Sequence, residues 1–509
     1  MAEKYVLAHD LGTTGNKASF FDSKGKVKAS AFSGYPTAYP QANWVEQDPE
    51  DWWRAVCLST RQLLGETGIQ KEDVACVSFS GQMMGCVALD QNARHLRSAI
   101  IWADTRAVSE AQQLLEAVGM ERAYRITGHR ASASYSAAKI MWVRDHQPEI
   151  FEKTYKFVQP KDAIVARLTG VFATDYSDAS GTNLYDLVTY DWSVEMLKAA
   201  GLERALLPEL HEATNMVGQV KGAVAEEIGL AVGTPVVIGG GDGCCAAAGA
   251  GVVREGSAYN NLGTSSWIAI ASQTPIFDPT LRTFTFAHLM RGMYSPCGTM
   301  QTAGGAYQWF RDNICYEERE AAEKLSISAY DLMNLEAEKS PPGANGLTFF
   351  PYLLGERSPR WNSDARGVYF GLSMTHSRAD MIRATLEGVC LNLRVILDAF
   401  RQQGSAISAM RVIGGGAKGR FWRQLLADIY QIPVQRPSLL VEATSFGAAL
   451  AGGIGVGLYP GWDLAEQLTP ISDVANPDPK VAVLYQRKYD FFNHAYETFE
   501  PLFKASVNF

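Results

Sequence analysis

The chain has 509 residues, which at roughly 100–200 residues per domain reads as two large domains or three smaller ones. Hydrophobic residues make up 47% and charged residues 20%, the balance of an ordinary globular protein with sizeable cores. The net charge of −8 provides no broad basic field, so a nucleic-acid partner is not expected.

The chain opens with a strand pattern at Tyr5 to Ala8, the turn Asp10-Leu-Gly-Thr-Thr-Gly15, and a second strand at Ala18 to Asp22. Ser23 to Lys26 then reads as a hairpin turn. This antiparallel start differs from a βαβ nucleotide fold. The stretch MAEKYVLAHDLG has no basic segment ahead of a long apolar run, so a cytoplasmic protein is expected.

Asp51 to Leu64 reads as a helix, Val74 to Ser80 as a buried strand and Ser109 to Val118 as a helix. Val236-Val-Ile runs into Gly239-Gly-Gly-Asp-Gly-Cys-Cys245, a strand followed by a helix start with one carboxylate among glycines. The eight cysteines are otherwise scattered and show no CxxC spacing, so free thiols in a reducing compartment are expected.

Ser257 to Ala271 repeats the strand, Gly-Thr-Ser turn, strand device about half a chain later. The pair suggests a duplication with a cleft between halves, divided near Gly251 into residues 1–251 and 252–509. Ser377 to Gln403 carries Ile382, Leu386, Val389, Leu393 and Ile396 on one helical face, with Gly404 placed to end it. No apolar run reaches the roughly 18 residues that cross a bilayer. The nearest, Phe446 to Tyr459, is short and rich in glycine and alanine.

Glycine and threonine in the Asp10 turn expose amides and hydroxyls that suit phosphate oxygens, and a carboxylate just ahead suits Mg²⁺. An ordinary hairpin with an aspartate cap fits the same residues. Leu262-Gly-Thr-Ser-Ser266 is a second turn of the same kind. Gly241-Asp-Gly-Cys-Cys-Ala246 and Gly414-Gly-Gly-Ala-Lys-Gly419 match a dinucleotide fingerprint. Neither is followed by the acidic residue, some 20 positions on, that would take the ribose hydroxyls. There is no GxxxxGK[ST] motif. Asp242 reads either as a poised general base for an attacking hydroxyl or as a helix-capping aspartate.

Together these pieces resemble the FGGY carbohydrate kinases, and within them the xylulokinase group. Ser134-Tyr-Ser-Ala-Ala-Lys-Ile-Met-Trp-Val-Arg-Asp-His146 resembles the first family signature. Gly367-Val-Tyr-Phe-Gly-Leu372 with Asp380-Met-Ile-Arg-Ala-Thr-Leu-Glu387 resembles the second. The resemblance runs almost end to end. It implies an α/β fold of two ribonuclease-H-like domains, of the actin/hexokinase/sugar kinase type, with a cleft between them.

The resemblance also implies roles. Asp242 matches the catalytic base and Asp10 the magnesium-linked carboxylate. Thr13, Thr14 and Lys17 match the first phosphate turn, and Gly263 and Thr264 the second. Gly304, Gln308, Gly415, Gly416, Ala417 and Lys418 match nucleoside contacts of ATP. Gln82, Met83, Met84, Trp102 and Asp104 match the acceptor pocket. Ser80-Gly-Gln-Met-Met-Gly85 carries Met84 where xylulokinases usually have histidine, and Gly243 stands where many have asparagine. The expected reaction is ATP- and Mg²⁺-dependent phosphorylation of a small sugar or polyol, first D-xylulose to D-xylulose 5-phosphate. Ribulose, L-xylulose, gluconate, erythritol, ribitol and glycerol are the alternatives, and an actin-fold ATPase switch is a further one. A homodimer is expected by resemblance alone.

Overall fold

The computed structural model describes residues 3–438 and 442–506. Its two main sheets have six and seven strands. The first contains β1 (Tyr5–Leu11), β2 (Gly15–Phe21), β3 (Val27–Gly34), β4 (Val74–Gly81), β5 (Met216–Gln219) and β6 (Pro235–Gly241). They lie in the order β5-β6-β4-β1-β2-β3. The second contains β7 (Ala258–Leu262), β8 (Ser266–Ile270), β9 (Phe284–Ala287), β10 (Tyr294–Met300), β11 (Met410–Ile413), β12 (Val434–Pro437) and β13 (Ile471–Ala475). Their order is β9-β10-β8-β7-β11-β12-β13.

The two sheets repeat one plan. β1 pairs antiparallel with β2 and parallel with β4, as β7 pairs antiparallel with β8 and parallel with β11. In each sheet a further parallel strand follows, β6 or β12, and then an antiparallel edge strand. Each hairpin closes through a short Gly-Thr turn, with Gly12 N bonded to Gly15 O at 3.1 Å and Gly263 N to Ser265 O at 3.0 Å. The two halves are thus copies of one α/β unit, as the paired hairpins suggested.

Alternation along the strands sends side chains to two cores. Leu7, Leu11, Val77, Phe79, Val236 and Ile238 pack with Trp52, Val56 and Leu63 of helix α1 (Pro49–Thr67). Asp48 caps α1 by accepting from Glu50 N at 2.9 Å, and Gly68 ends it at φ 68°. Val6, Ala8, Cys76 and Val237 face the other way. Their partner comes from the far half of the chain.

Helices α2 (Ser136–His146), α3 (Asp242–Gly249), α4 (Gly304–Asn313), α5 (Arg378–Gln402) and α6 (Ala443–Gly455) complete the frame. α5 forms over the predicted span, opens on a Ser377/Asp380 capping box and is buried almost all round. α6 covers the open face of the first sheet, with Ala448, Ala449 and Ala451 in the same core as Val6 and Val237. The apolar run at Phe446 is therefore an interior helix. Among the described residues no helix is long and apolar enough to cross a membrane. Helix α6 lies in the second half of the sequence and completes the packing of the first sheet.

α3 and α6 cross at very short range. A Cβ added at Gly447 would sit 2.0 Å from Cys245 O, and one at Gly249 would sit 1.8 Å from Ala443 O. Only glycine allows that approach.

Candidate active site

The site lies where the parallel strands of the first sheet end, the usual place for ligands in such sheets. Register aligns Asp10 with Ser80 and Ser80 with Gly240 across β1, β4 and β6. Asp242 follows two residues later, on the first turn of α3. The glycines before it answer packing needs. Gly239 has φ 67°, and a Cβ there would meet Phe79 O at 1.8 Å; one on Gly241 would meet Met83 Sδ at 2.6 Å.

Asp242 is half-buried and accepts one hydrogen bond, from Gly243 N at 2.7 Å. Burial, with the charge of Asp10 adding to it, pushes its carboxyl up to about 7. Burial likewise raises Asp10 to about 6, with the Lys17 charge and a Ser80 hydrogen bond opposing. Two raised, mutually repelling carboxylates suit a site completed by a cation and a proton donor.

Asp242 lines a cavity of about 330 Å³. Met83, Met84 and Trp102 form one wall, in the acceptor pocket the resemblance implies, and Thr13, matched to the phosphate turn, lines this cavity with them; Trp102 Nε1 donates to Thr13 Oγ1 at 2.9 Å. Met84 has φ 61°, and its carbonyl accepts from the buried Lys139 Nζ at 2.8 Å. The opposite wall comes from the second half: Tyr259, Ser265, Trp267, Phe284, Phe286 and Arg357, among others.

A second cavity of about 690 Å³ lies on the far side of the Gly263 turn. Gly263, Thr264, Gly304, Gln308, Gly415, Gly416 and Lys418 line it, all expected from the sequence. Gly304 N donates to Gly263 O at 2.9 Å, and a Cβ on Gly304 would meet that oxygen at 2.4 Å. Tyr307, Tyr330, Asn334 and Trp422 also line this cavity. The β7–β8 hairpin therefore touches both spaces, Gly263 and Thr264 in one and Ser265 and Ser266 in the other.

Several expected residues stand elsewhere. Asp104 is buried away from the cavity, its oxygens taken by Val45 N at 2.6 Å and by Arg106, so it holds a loop and presents no acceptor to a ligand. Gln82 is also buried, with Nε2 donating to Gln47 Oε1 at 2.8 Å. Ala417 is buried under the glycine loop and does not line the nucleotide-sized cavity. Thr14 is exposed at its turn, and Lys17 pairs with Glu442 at 3.2 Å. Neither lines either cavity.

The sequence reading missed the aromatic wall and Arg357. Tyr135 lay within the first signature without a role, and Trp267 stands two residues past the Gly263-Thr-Ser265 turn. Nothing local marked Phe284, Phe286 or Arg357, which reach the cavity only through the packing of the two halves.

Comparison with known proteins agrees with this frame. Residues 5–249 match the N-terminal domain, and residues 258–456 the C-terminal domain, of the FGGY family of carbohydrate kinases. The chain belongs to that family and is a sugar kinase. It is 33% identical to a xylulose kinase of Bacillus subtilis (strain 168), over 99% of each chain. It is 32% identical to a gluconokinase of the same strain, over 92% of this chain and 93% of the relative. The crystal structure of gluconate kinase from Lactobacillus acidophilus superposes with a TM-score of 0.91 at 27% identity, covering 98% of this chain and 99% of that one.

Proposed function

We propose that this kinase transfers the γ-phosphoryl group of Mg²⁺-ATP to a hydroxyl of a small sugar or sugar derivative, with Asp242 as general base. The observation that carries the reading is the β7–β8 turn, which separates a cavity holding Asp242 from one framed by glycines and Lys418. The acceptor lies beside Asp242 and the nucleotide beyond the turn.

In the transfer, the acceptor oxygen bonds to the γ-phosphorus while the bond to the bridging oxygen breaks, ADP leaves, and the hydroxyl proton passes to Asp242. A carboxylate held near 7 is matched to that task at neutral pH. Burial between two halves excludes water that would otherwise hydrolyse the nucleotide.

Asp10 is the residue that fits magnesium. It is a hard oxygen donor, partly exposed, and raised by burial, so a nearby cation relieves it. Magnesium keeps several waters, so an ion there would be shared with phosphate oxygens and water, and it would neutralise charge on the transferring group.

Relatives named for xylulose and for gluconate match the chain about equally, so D-xylulose is one of two leading acceptors. ADP release measured across ketoses, polyols and sugar acids tests the reading, with Asp242→Ala as control. Acceptor-dependent turnover that falls at least about a thousandfold in the variant is expected. Turnover independent of every acceptor and of Asp242 would instead favour an ATPase switch.

A further inference from the structure

The acceptor cavity contains one carboxylate, Asp242, and one cation, Arg357. Arg357 enters the hydrogen-bond network through its backbone only: its N–H donates to Glu356 Oε1 at 3.0 Å, and its carbonyl accepts from Trp361 N. Among the described residues its guanidinium has no ion pair and no hydrogen-bond acceptor. The carboxylate beside it in sequence is committed elsewhere. Glu356 is buried and accepts from Gln301 N at 2.7 Å and Asn392 Nδ2 at 2.8 Å. Of the neighbouring arginines, Arg360 donates to Asn493 Oδ1 at 2.6 Å and Arg282 to Asp278 Oδ2 at 2.8 Å.

Arg357 shares this cavity wall with Tyr135, and its charge acts on Tyr135, His129 and Lys139. This half-buried guanidinium shares the cavity with Phe284, Phe286, Met83 and Met84 and has no protein acceptor among the described residues, so its donors are free for a ligand. The fork of N–H donors matches a carboxylate, and a sugar hydroxyl satisfies it poorly. In the same cavity Thr299 Oγ1 is buried without a partner and Gln301 forms part of the lining. Both suit the hydroxyls of a polyhydroxy chain.

We infer that the acceptor is a short sugar acid whose carboxylate pairs with Arg357 while a hydroxyl at the other end of the chain meets Asp242. This rests on the kinase reading above and narrows it to an anionic substrate class.

The test compares matched pairs, D-gluconate against D-glucitol and D-xylonate against xylitol, with D-xylulose alongside. ADP release with Mg²⁺-ATP is followed for the parent enzyme, Arg357→Gln and Arg357→Lys. The acid of each pair is expected to exceed its polyol in kcat/KM on the order of tenfold to a hundredfold. Arg357→Gln brings that ratio toward one, mainly through the KM of the acid, and Arg357→Lys retains part of it. D-xylulose as best acceptor, with a ratio near one in all three proteins, overturns the inference and leaves the kinase reading intact. If no acceptor stimulates ADP release, the kinase reading fails. Calorimetric binding of D-gluconate against D-glucitol then decides the anion site by itself: acid binding lost in Arg357→Gln upholds it, and none in the parent overturns it.

Discussion

The hydroxyl of Ser177 accepts the Gly241 amide at 2.9 Å, and the same hydroxyl donates to Asp175. This chain of two bonds fixes the residue before Asp242 from behind. Asp175 in turn sits in a buried cluster with Asp162, Asp178 and Lys161, whose Nζ lies 2.6–3.1 Å from the three carboxylates. The carboxylate of the cavity is aimed from a buried support of three carboxyl groups around one lysine.

Removing the link should loosen that aim without touching either ligand. Ser177→Ala leaves the Gly241 amide buried without its acceptor, at a stability cost of about 1–3 kcal/mol. We expect kcat to fall about tenfold or more, with KM for ATP little changed. Thermal unfolding and steady-state kinetics on the same preparation separate the two effects.

The pH profile follows from the carboxylate pair. Asp242 serves as base only when ionised, so kcat/KM should rise with pH through about 7 and level off above it. Because the Asp10 charge is one of the causes raising Asp242, Asp10→Asn should move this limb to lower pH even as the maximal rate falls. A limb left in place would assign it to another group.

Lys139 is wholly buried and donates to the carbonyls of Met84, Ile101 and Ser134 at 2.7–2.9 Å. It holds Met84 in a left-handed backbone conformation at the cavity wall. Lys139→Met should raise KM for the acceptor roughly tenfold and leave KM for ATP near its parent value, because only that wall depends on the lysine. It should also lower stability by a few kcal/mol, on the order of 1–3 for each carbonyl that finds no water.

The crossing of α3 and α6 predicts a contrast between two glycines. Gly447→Ala places a methyl 2.0 Å from Cys245 O and should cost about 1–3 kcal/mol or more, read as a lower Tm. Gly65, exposed in α1 with nothing within 4 Å of an added Cβ, should behave oppositely. Gly65→Ala is expected to stabilise by about 0.5–1 kcal/mol, because alanine loses less backbone entropy in a helix.

Much of the frame was legible in the chain because it rests on local rules. Period-2 and period-3.6 patterns marked β1, β4, α1 and α5, and paired Gly-Thr turns marked the two hairpins and hence the duplication. The lone carboxylate in Gly239-Gly-Gly-Asp-Gly243 marked the strand end that faces the cavity. Glycine patterns also marked most of the nucleotide-sized cavity, since a backbone that comes close to a ligand or to another chain segment must lack a side chain. Asp104 misled for the complementary reason. Motif position says that a polar residue is near a site, while its hydrogen-bond partners decide whether it faces the ligand.

By itself the sequence marked the paired turns and the strand end that carries Asp242, because each depends on residues within a few positions of one another, while the class of fold came with the family resemblance. Only the tertiary structure decided which half supplies each wall, that α6 closes the first sheet, and that Arg357 meets Asp242 in one cavity from 115 residues away in sequence. Those relations are set by burial and close packing between distant segments, which no local pattern encodes.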